Sequence, residues 1–214
     1  MIDHTFLKAS GTPTDIETLC REAMQYHFCA VMVHPCEVGR CLRLLAGTPV
    51  RIGTVAGFPL GQNTVAVKCW EVRDCLDNGA QEVDLVLNVR ALQAGEDRIV
   101  TDEMTGLAQA CREAGAVSKV ILENCYLNDE QKRRACRIAV EAGVDFVKTS
   151  TGLATGGATV ADVRLMAEAV AGRAQVKAAG GIRTLEDAQA MIAAGATRIG
   201  TSAGVALVQA ARSL

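Results

Sequence analysis

Residues 128 to 152 hold one structural unit: Asn128-Asp-Glu-Gln-Lys-Arg-Arg-Ala-Cys-Arg-Ile-Ala-Val-Glu-Ala-Gly143, then Val144, then the run Asp145-Phe-Val-Lys-Thr-Ser-Thr151 closed by Gly152. Asn128 with Gln131 three residues later is a helix-start signature, because each side chain can satisfy a backbone N–H left free in the first turn. Gly143 falls where that helix should stop. The run after it is short, apolar and without clean alternation, the pattern of a strand covered on both faces in a parallel sheet. Runs of this kind recur at 2–5, 29–34, 50–57, 82–88, 118–124, 145–151, 174–180 and 197–202, each followed by a helical stretch. Thr14 with Glu17 and Thr184 with Asp187 predict further helix starts, and Gly79, Gly115 and Gly195 further stops. Eight strand–helix units in 214 residues, about 27 residues each, predict an α/β fold, a single-domain (β/α)8 TIM barrel spanning 1–214. The rival is an open doubly wound sheet, which calls for a G-x-G-x-x-G turn after an early strand; the chain has none.

Composition agrees with a packed globular domain. Half of the residues are apolar and 21% are charged, which excludes disordered and fibrous classes. No apolar run approaches the ~20 residues of a membrane-spanning helix, and the amino terminus has no signal-like pattern, so the chain is expected to be cytoplasmic and without a membrane partner. Twenty-two Lys+Arg against 24 Asp+Glu, with no basic cluster, argue against a nucleic-acid partner. The nine cysteines include no C-x-x-C pair and read as free thiols of a reducing compartment. His34, Cys36 and Cys41 come nearest to a metal cluster but lack the paired spacing of a zinc site.

In a (β/α)8 barrel the reactive side chains sit at the carboxyl ends of the strands. Those ends carry Asp3, His34, Asp84, Asn88, Glu123, Lys148, Lys177 and Ser202. The chain has only six lysines beside sixteen arginines, yet Lys148 and Lys177 fall within apolar strand ends. Burial and a neighbouring cation both disfavour an ammonium, so such a pair can bring one amine from about 10.4 down toward ~7 to 8. A neutral amine attacks carbonyls and supports Schiff-base chemistry, which arginine cannot. The plainer reading makes each lysine an ion-pair partner of Asp84 or Glu123, and spacing does not separate the two. Asp84 is a carboxylate in an apolar strand and requires a cation or hydrogen bonds. Glycines punctuate 149–157, 179–183 and 200–204, and the loops after strands 7 and 8 of a barrel are where phosphate commonly sits.

These residues resemble the deoxyribose-phosphate aldolase family along essentially the whole chain. The matching strings are Ile2-Asp-His-Thr-Phe-Leu-Lys8, Gly-Phe-Pro-Leu-Gly at 57–61, Glu-Val-Asp at 82–84, Lys-Val-Ile-Leu-Glu at 119–123, Phe-Val-Lys-Thr-Ser-Thr-Gly at 146–152, Lys-Ala-Ala-Gly-Gly-Ile-Arg at 177–183 and Arg-Ile-Gly-Thr-Ser at 198–202. The resemblance implies a class I aldolase with no metal or other cofactor, reversibly cleaving 2-deoxy-D-ribose 5-phosphate to D-glyceraldehyde 3-phosphate and acetaldehyde in deoxynucleoside catabolism. It implies Lys148 as the Schiff-base lysine, Lys177 as the neighbour that lowers its pKa, and Asp84 as the acid of the proton relay. Gly152, Gly181, Gly200 and Ser202 match phosphate contacts, and Asp3 and Thr5 match substrate-side polar positions. The expected partner is the sugar phosphate, with a homo-oligomer, dimer or tetramer, as the assembly. The chain departs from many relatives at Ala203, Leu153 and Met32, where serine, lysine and cysteine are common. Two rivals remain open: another sugar-phosphate TIM-barrel lyase or isomerase, and a non-catalytic phosphosugar-binding barrel.

Overall fold

A computed structural model describes residues 1–213. Its strands are β1 (Ile2–Thr5), β2 (Ala30–Met32), β3 (Arg51–Ala56), β4 (Glu82–Val86), β5 (Val117–Ile121), β6 (Phe146–Lys148), β7 (Gln175–Ala179) and β8 (Arg198–Thr201). Between and after them run helices α1 (Pro13–Gln25), α2 (Val38–Leu44), α3 (Val65–Asp77), α4 (Val89–Ala94), α5 (Asp97–Glu113), α6 (Asp129–Ala142), α7 (Val160–Val170), α8 (Leu185–Ala193) and α9 (Gly204–Arg212). The strands pair in parallel in chain order, and β8 closes on β1, which removes every open sheet edge. The expected (β/α)8 barrel is the fold.

Local chemistry explains most boundaries. Asn128 Oδ1 accepts from the Gln131 N–H at 2.9 Å and Gln131 Oε1 from the Asn128 N–H at 3.0 Å, which starts α6. Gly143 ends it in the left-handed region at φ 78°, as Gly79, Gly115 and Gly195 end other helices. One helix start differs from the expectation at Thr14 and Glu17. Helix α1 begins instead after Thr12, whose N–H and Oγ1 both donate to Asp15 Oδ2, at 2.7 and 2.8 Å. Pro13 decides this, because its fixed φ and missing N–H suit the first helical position and place the cap just before it. Seven of the eight strands also stop one to three residues short of the predicted runs. Past those ends the pairing thins to single backbone bonds, such as Thr149 N–H to the Lys177 carbonyl at 3.1 Å, supplemented by side chains, as where Thr149 Oγ1 donates to the Ala179 carbonyl at 3.0 Å.

The apolar core lies between the strands and the helical ring, with outward-facing Val31, Ile52, Val83, Leu85, Val120, Val147, Val176 and Ile199 all buried. Inside the barrel the side of β2 and β3 is apolar, with Met32 and Val55 packed with Leu7 and Phe58. Met32 fills the space over Gly53, where an added Cβ would stand 2.2 Å from its Sδ. The other side, from β4 round to β1, carries charge. No helix among the described residues is long and apolar enough to cross a membrane. No group of three or more His, Cys, Asp or Glu side chains with metal-holding geometry occurs among them.

Candidate active site

Successive residues of a strand face opposite sides, so Glu82 and Asp84 of β4 both point into the barrel. Around them six charged side chains close into a ring of alternating sign. Lys119 Nζ lies 2.9 Å from Asp84 Oδ1 and 2.6 Å from Glu82 Oε2. Arg198 joins Glu82 Oε2 at 3.1 Å to Asp3 Oδ1 at 2.6 Å. Lys177 Nζ joins Asp3 Oδ2 at 2.6 Å to Asp84 Oδ2 at 2.9 Å, which completes the circuit. Three carboxylates balance three cations. That balance matters because a charge removed from water costs several kcal/mol unless it is paired and its hydrogen-bonding capacity filled.

Lys148 is a seventh group, set on top of the ring with its Nζ 2.8 Å from Asp84 Oδ2. It has no carboxylate of its own. Burial is the largest influence and favours its neutral form, Asp84 pulls the other way, and Lys177 and Lys119 add to the neutral side, leaving its pKa at about 8. Burial would raise the carboxyl of Asp84, but Lys119, Lys148 and Lys177 together hold it well below the usual carboxylate range. For Lys119, burial is outweighed by Asp84, Glu82 and Asp3, which raise its pKa. The same ring therefore holds an ammonium fixed at Lys119 and an amine near neutrality at Lys148.

Above Lys148 opens a cavity of about 610 Å³ at the carboxyl end of the barrel. Lys148, Gly152, Gly181, Gly200, Ser202 and Thr5 all line it. Asp84 and Lys177 lie beneath, both 0% exposed. Asp3, expected on the substrate side, does not line the cavity: it is wholly buried in the ring, held by Lys177 and Arg198. Gly200 was expected in a loop but lies within β8, paired with Ala179. A Cβ there would stand 3.0 Å from Lys177 Cε, so the glycine makes room for the lysine stem. Glu123, an ion-pair candidate, makes no salt bridge with either lysine; its carboxylate accepts from the Thr151 N–H at 3.1 Å and from the Thr151 hydroxyl. Asn88 caps α4, its Oδ1 accepting from the Ala91 N–H at 3.0 Å, and His34 Nε2 stands 3.2 Å from the Leu7 carbonyl oxygen.

The rim beside β7 and β8 is built from backbone. A Cβ on Gly157 would lie 2.3 Å from the Gly180 carbonyl oxygen, so only glycine permits these two loops to touch. Gly152, Gly180 and Gly181 all take positive φ there. Arg183 and Lys8 bring positive charge to the same cavity, and neither was singled out in the sequence. Ala203 N–H donates to Thr201 Oγ1 at 2.9 Å and is thereby occupied within the loop. Lys119, Glu82 and Arg198 were also missed, although period-two alternation puts each on the inner face of its strand.

A parallel (β/α)8 barrel carrying a buried amine of pKa about 8 beneath an open, glycine-rimmed cavity defines a class of enzyme able to form imines with carbonyl compounds. The sequence narrows that class, because a profile of the DeoC/LacD family aldolases matches residues 1–210. This chain belongs to that family. It is 56% identical to the deoxyribose-phosphate aldolase of Bacteroides thetaiotaomicron, over 100% of this chain and 90% of that one. It is 52% identical to the protein of the same name from Carboxydothermus hydrogenoformans, over 98% of this chain and 92% of that one. Among solved structures it superimposes on the deoxyribose phosphate aldolase of Aeropyrum pernix, described as a tetramer, with a TM-score of 0.92 and 35% identity over 99% of this chain and 89% of the other.

Proposed function

We propose that this chain is a class I aldolase that reversibly cleaves 2-deoxy-D-ribose 5-phosphate to D-glyceraldehyde 3-phosphate and acetaldehyde, with Lys148 as its nucleophile. The observation that carries this reading is the single near-neutral amine facing the cavity, on a charge-balanced ring. The neutral Nζ of Lys148 attacks C1 of the open-chain sugar, and loss of water gives a protonated imine. A base takes the proton from the C3 hydroxyl, the C2–C3 bond breaks, and its electron pair moves into the imine to form an enamine. Glyceraldehyde 3-phosphate leaves with C3 as its new aldehyde carbon. Protonation at C2 and hydrolysis then release acetaldehyde and restore the amine. Asp84, ionised and 2.8 Å from Lys148 Nζ, accepts and returns protons directly or through water. Gly152, Gly181, Gly200 and Ser202 form the phosphate side, with Arg183 and Lys8 adding positive potential, and Thr5 stands at the substrate side. The same reading includes a cytoplasmic homo-oligomer, dimer or tetramer, which sedimentation would measure.

The test is turnover: acetaldehyde released from 2-deoxy-D-ribose 5-phosphate, followed with an alcohol dehydrogenase. Binding of the sugar phosphate without release would make the chain a phosphosugar-binding barrel, and conversion without acetaldehyde would make it another lyase or isomerase.

Two variants probe separate parts of the site. Replacing Lys177 with leucine takes a cation from beside Lys148 and leaves the ring one charge negative. The Lys148 pKa should rise and the rising limb of the kcat/KM profile, near pH 8 in the parent, should move to higher pH, with a loss of rate of about 10²- to 10⁴-fold. An unmoved limb would assign Lys177 to hydrogen bonding alone. Replacing Ser202, which is exposed on the cavity rim, with aspartate sets a carboxylate against the phosphate. The ratio of kcat/KM for phosphorylated over unphosphorylated deoxyribose should fall at least ~10-fold. An unchanged ratio would place the phosphate elsewhere.

A further inference from the structure

Neither Glu82 nor Arg198 lines the cavity, yet together they close the ring on the side away from Lys148. Each stands two strands from β6, Glu82 by way of β5 and Arg198 by way of β7. With strands ~4.8 Å apart, both are on the order of 10 Å from the strand of Lys148. We propose that Glu82 and Arg198 are positioning residues that act on the reaction at a distance, as an opposed pair of fixed charges that set the pH at which Lys148 becomes a nucleophile. This inference rests on the assignment of Lys148 as the imine-forming amine and extends it to residues no substrate touches.

The argument is charge balance. The groups facing Lys148 from inside the barrel are Asp84 and Glu82 on β4, Lys119 on β5, Lys177 on β7, Arg198 on β8 and Asp3 on β1. Glu123, just past the end of β5, is a further buried carboxylate that interacts with Lys148, but it is held by Thr151 and is the same in every variant compared, and β2 presents only Ala30 and Met32. Arg51 of β3, half exposed, reaches within 3.8 Å of Glu82 from outside the ring. Lys8, Asp15, Glu22 and Arg183 line the cavity, where water screens them. With Glu82 and Arg198 in place the six ring members sum to zero, and the field at Lys148 is set by burial and by near neighbours. Removing either one leaves an uncompensated buried unit charge, which at roughly 10 Å and an effective dielectric of about 20 shifts a titration by ~1 pH unit. The sign is fixed by which charge goes: without the cation the ammonium of Lys148 is favoured, and without the carboxylate it is disfavoured.

The experiment measures the pH midpoint at which acetaldehyde and cyanoborohydride label Lys148, in the full chain and in five variants. Arg198→Gln should move the midpoint up by about one unit and Glu82→Gln down by about one unit. The double variant, neutral again, should return to the parent value, and the charge-conserving Arg198→Lys and Glu82→Asp should stay there. A scaffolding role would lower the labelling rate in all five without opposed shifts. Should one glutamine variant fail to fold, the other set against its charge-conserving counterpart still reads the sign. Midpoints that coincide, or shift in one direction for both glutamine variants, overturn the inference while labelling at Lys148 in the parent upholds its catalytic assignment. A parent chain left unlabelled at Lys148 refutes that assignment instead.

Discussion

Replacing Lys148 with leucine is expected to abolish cleavage of 2-deoxy-D-ribose 5-phosphate, lowering kcat/KM by at least ~10⁴-fold, while the barrel stays folded. Activity falls because, among the described residues, Lys148 is the one lysine that is both buried and on the cavity wall; Lys8 also lines the cavity but is exposed. Lys119 and Lys177 lie beneath the cavity, each engaged by two carboxylates of the ring. The fold should survive because Lys148 is the surplus cation: without it Asp84 keeps both of its other lysines and the ring remains neutral. The pH dependence carries a definite sign. A lysine whose folded pKa of about 8 lies below the unfolded ~10.4 makes folding less favourable, most of all where the folded chain has to carry it as the buried ammonium. That burden is fully present below pH 8 and fades as pH rises toward 10.4. Thermal melts at pH 7 should therefore show Lys148→Leu as stable as the parent or more so. A collapse of Tm would mean that Lys148 holds the ring together.

Asp84→Asn should have the opposite profile, a loss of both stability and activity. Asp84 is the one carboxylate shared by three lysines, at 2.8 to 2.9 Å. Neutralising it leaves two carboxylates to balance four buried cations, and breaking a buried ion network in this way typically costs ~3 to 5 kcal/mol. The folded pKa of Asp84 lies well below its ordinary value, so its stabilisation is fully present above the unfolded value near 3.9. It is lost as pH falls through the folded pKa. Denaturant midpoints of parent and variant should thus be far apart at neutral pH and converge in acid. Turnover should fall ~10²- to 10⁴-fold with the proposed proton relay removed. The amine should also become neutral at lower pH, since the carboxylate that favours its ammonium is gone. Equal stability of the two proteins at pH 7 would contradict the charge count on which the site is built.

What the sequence revealed and what it hid have physical reasons. Strand positions were legible because parallel strands buried on both faces leave continuous apolar runs, and helix ends because Asn128, Thr184 and the stop glycines act within a few residues of themselves. The start of α1 was misread where two capping pairs overlapped and Pro13 chose between them. Lys148, Lys177 and Asp84 stood out because a charge in an apolar run demands a partner. Asp84 was legible as a partner of both lysines, and it pairs with each; Lys119, Glu82 and Arg198 were not, since a ring joining Asp3 to Arg198 spans nearly the whole chain and depends on which strands face one another across a closed barrel. The sequence thus exposed both lysines and Asp84 but not the neutral ring that sets them apart: Lys119 looks like Lys148 in its string, yet two carboxylates hold it charged. The role of Gly200 was hidden for a like reason, because the Lys177 stem it accommodates comes from a different strand.

The most direct measurement is to incubate the chain with acetaldehyde, reduce with borohydride and map the modified residue by mass spectrometry. One ethyl group on Lys148, within the peptide that contains residues 146–152, with activity lost in proportion to labelling, is the result predicted by the charge-balanced ring and its seventh amine. Labelling at Lys177 instead would reverse the order of the pair, and an active enzyme that takes no label would remove imine chemistry from its mechanism.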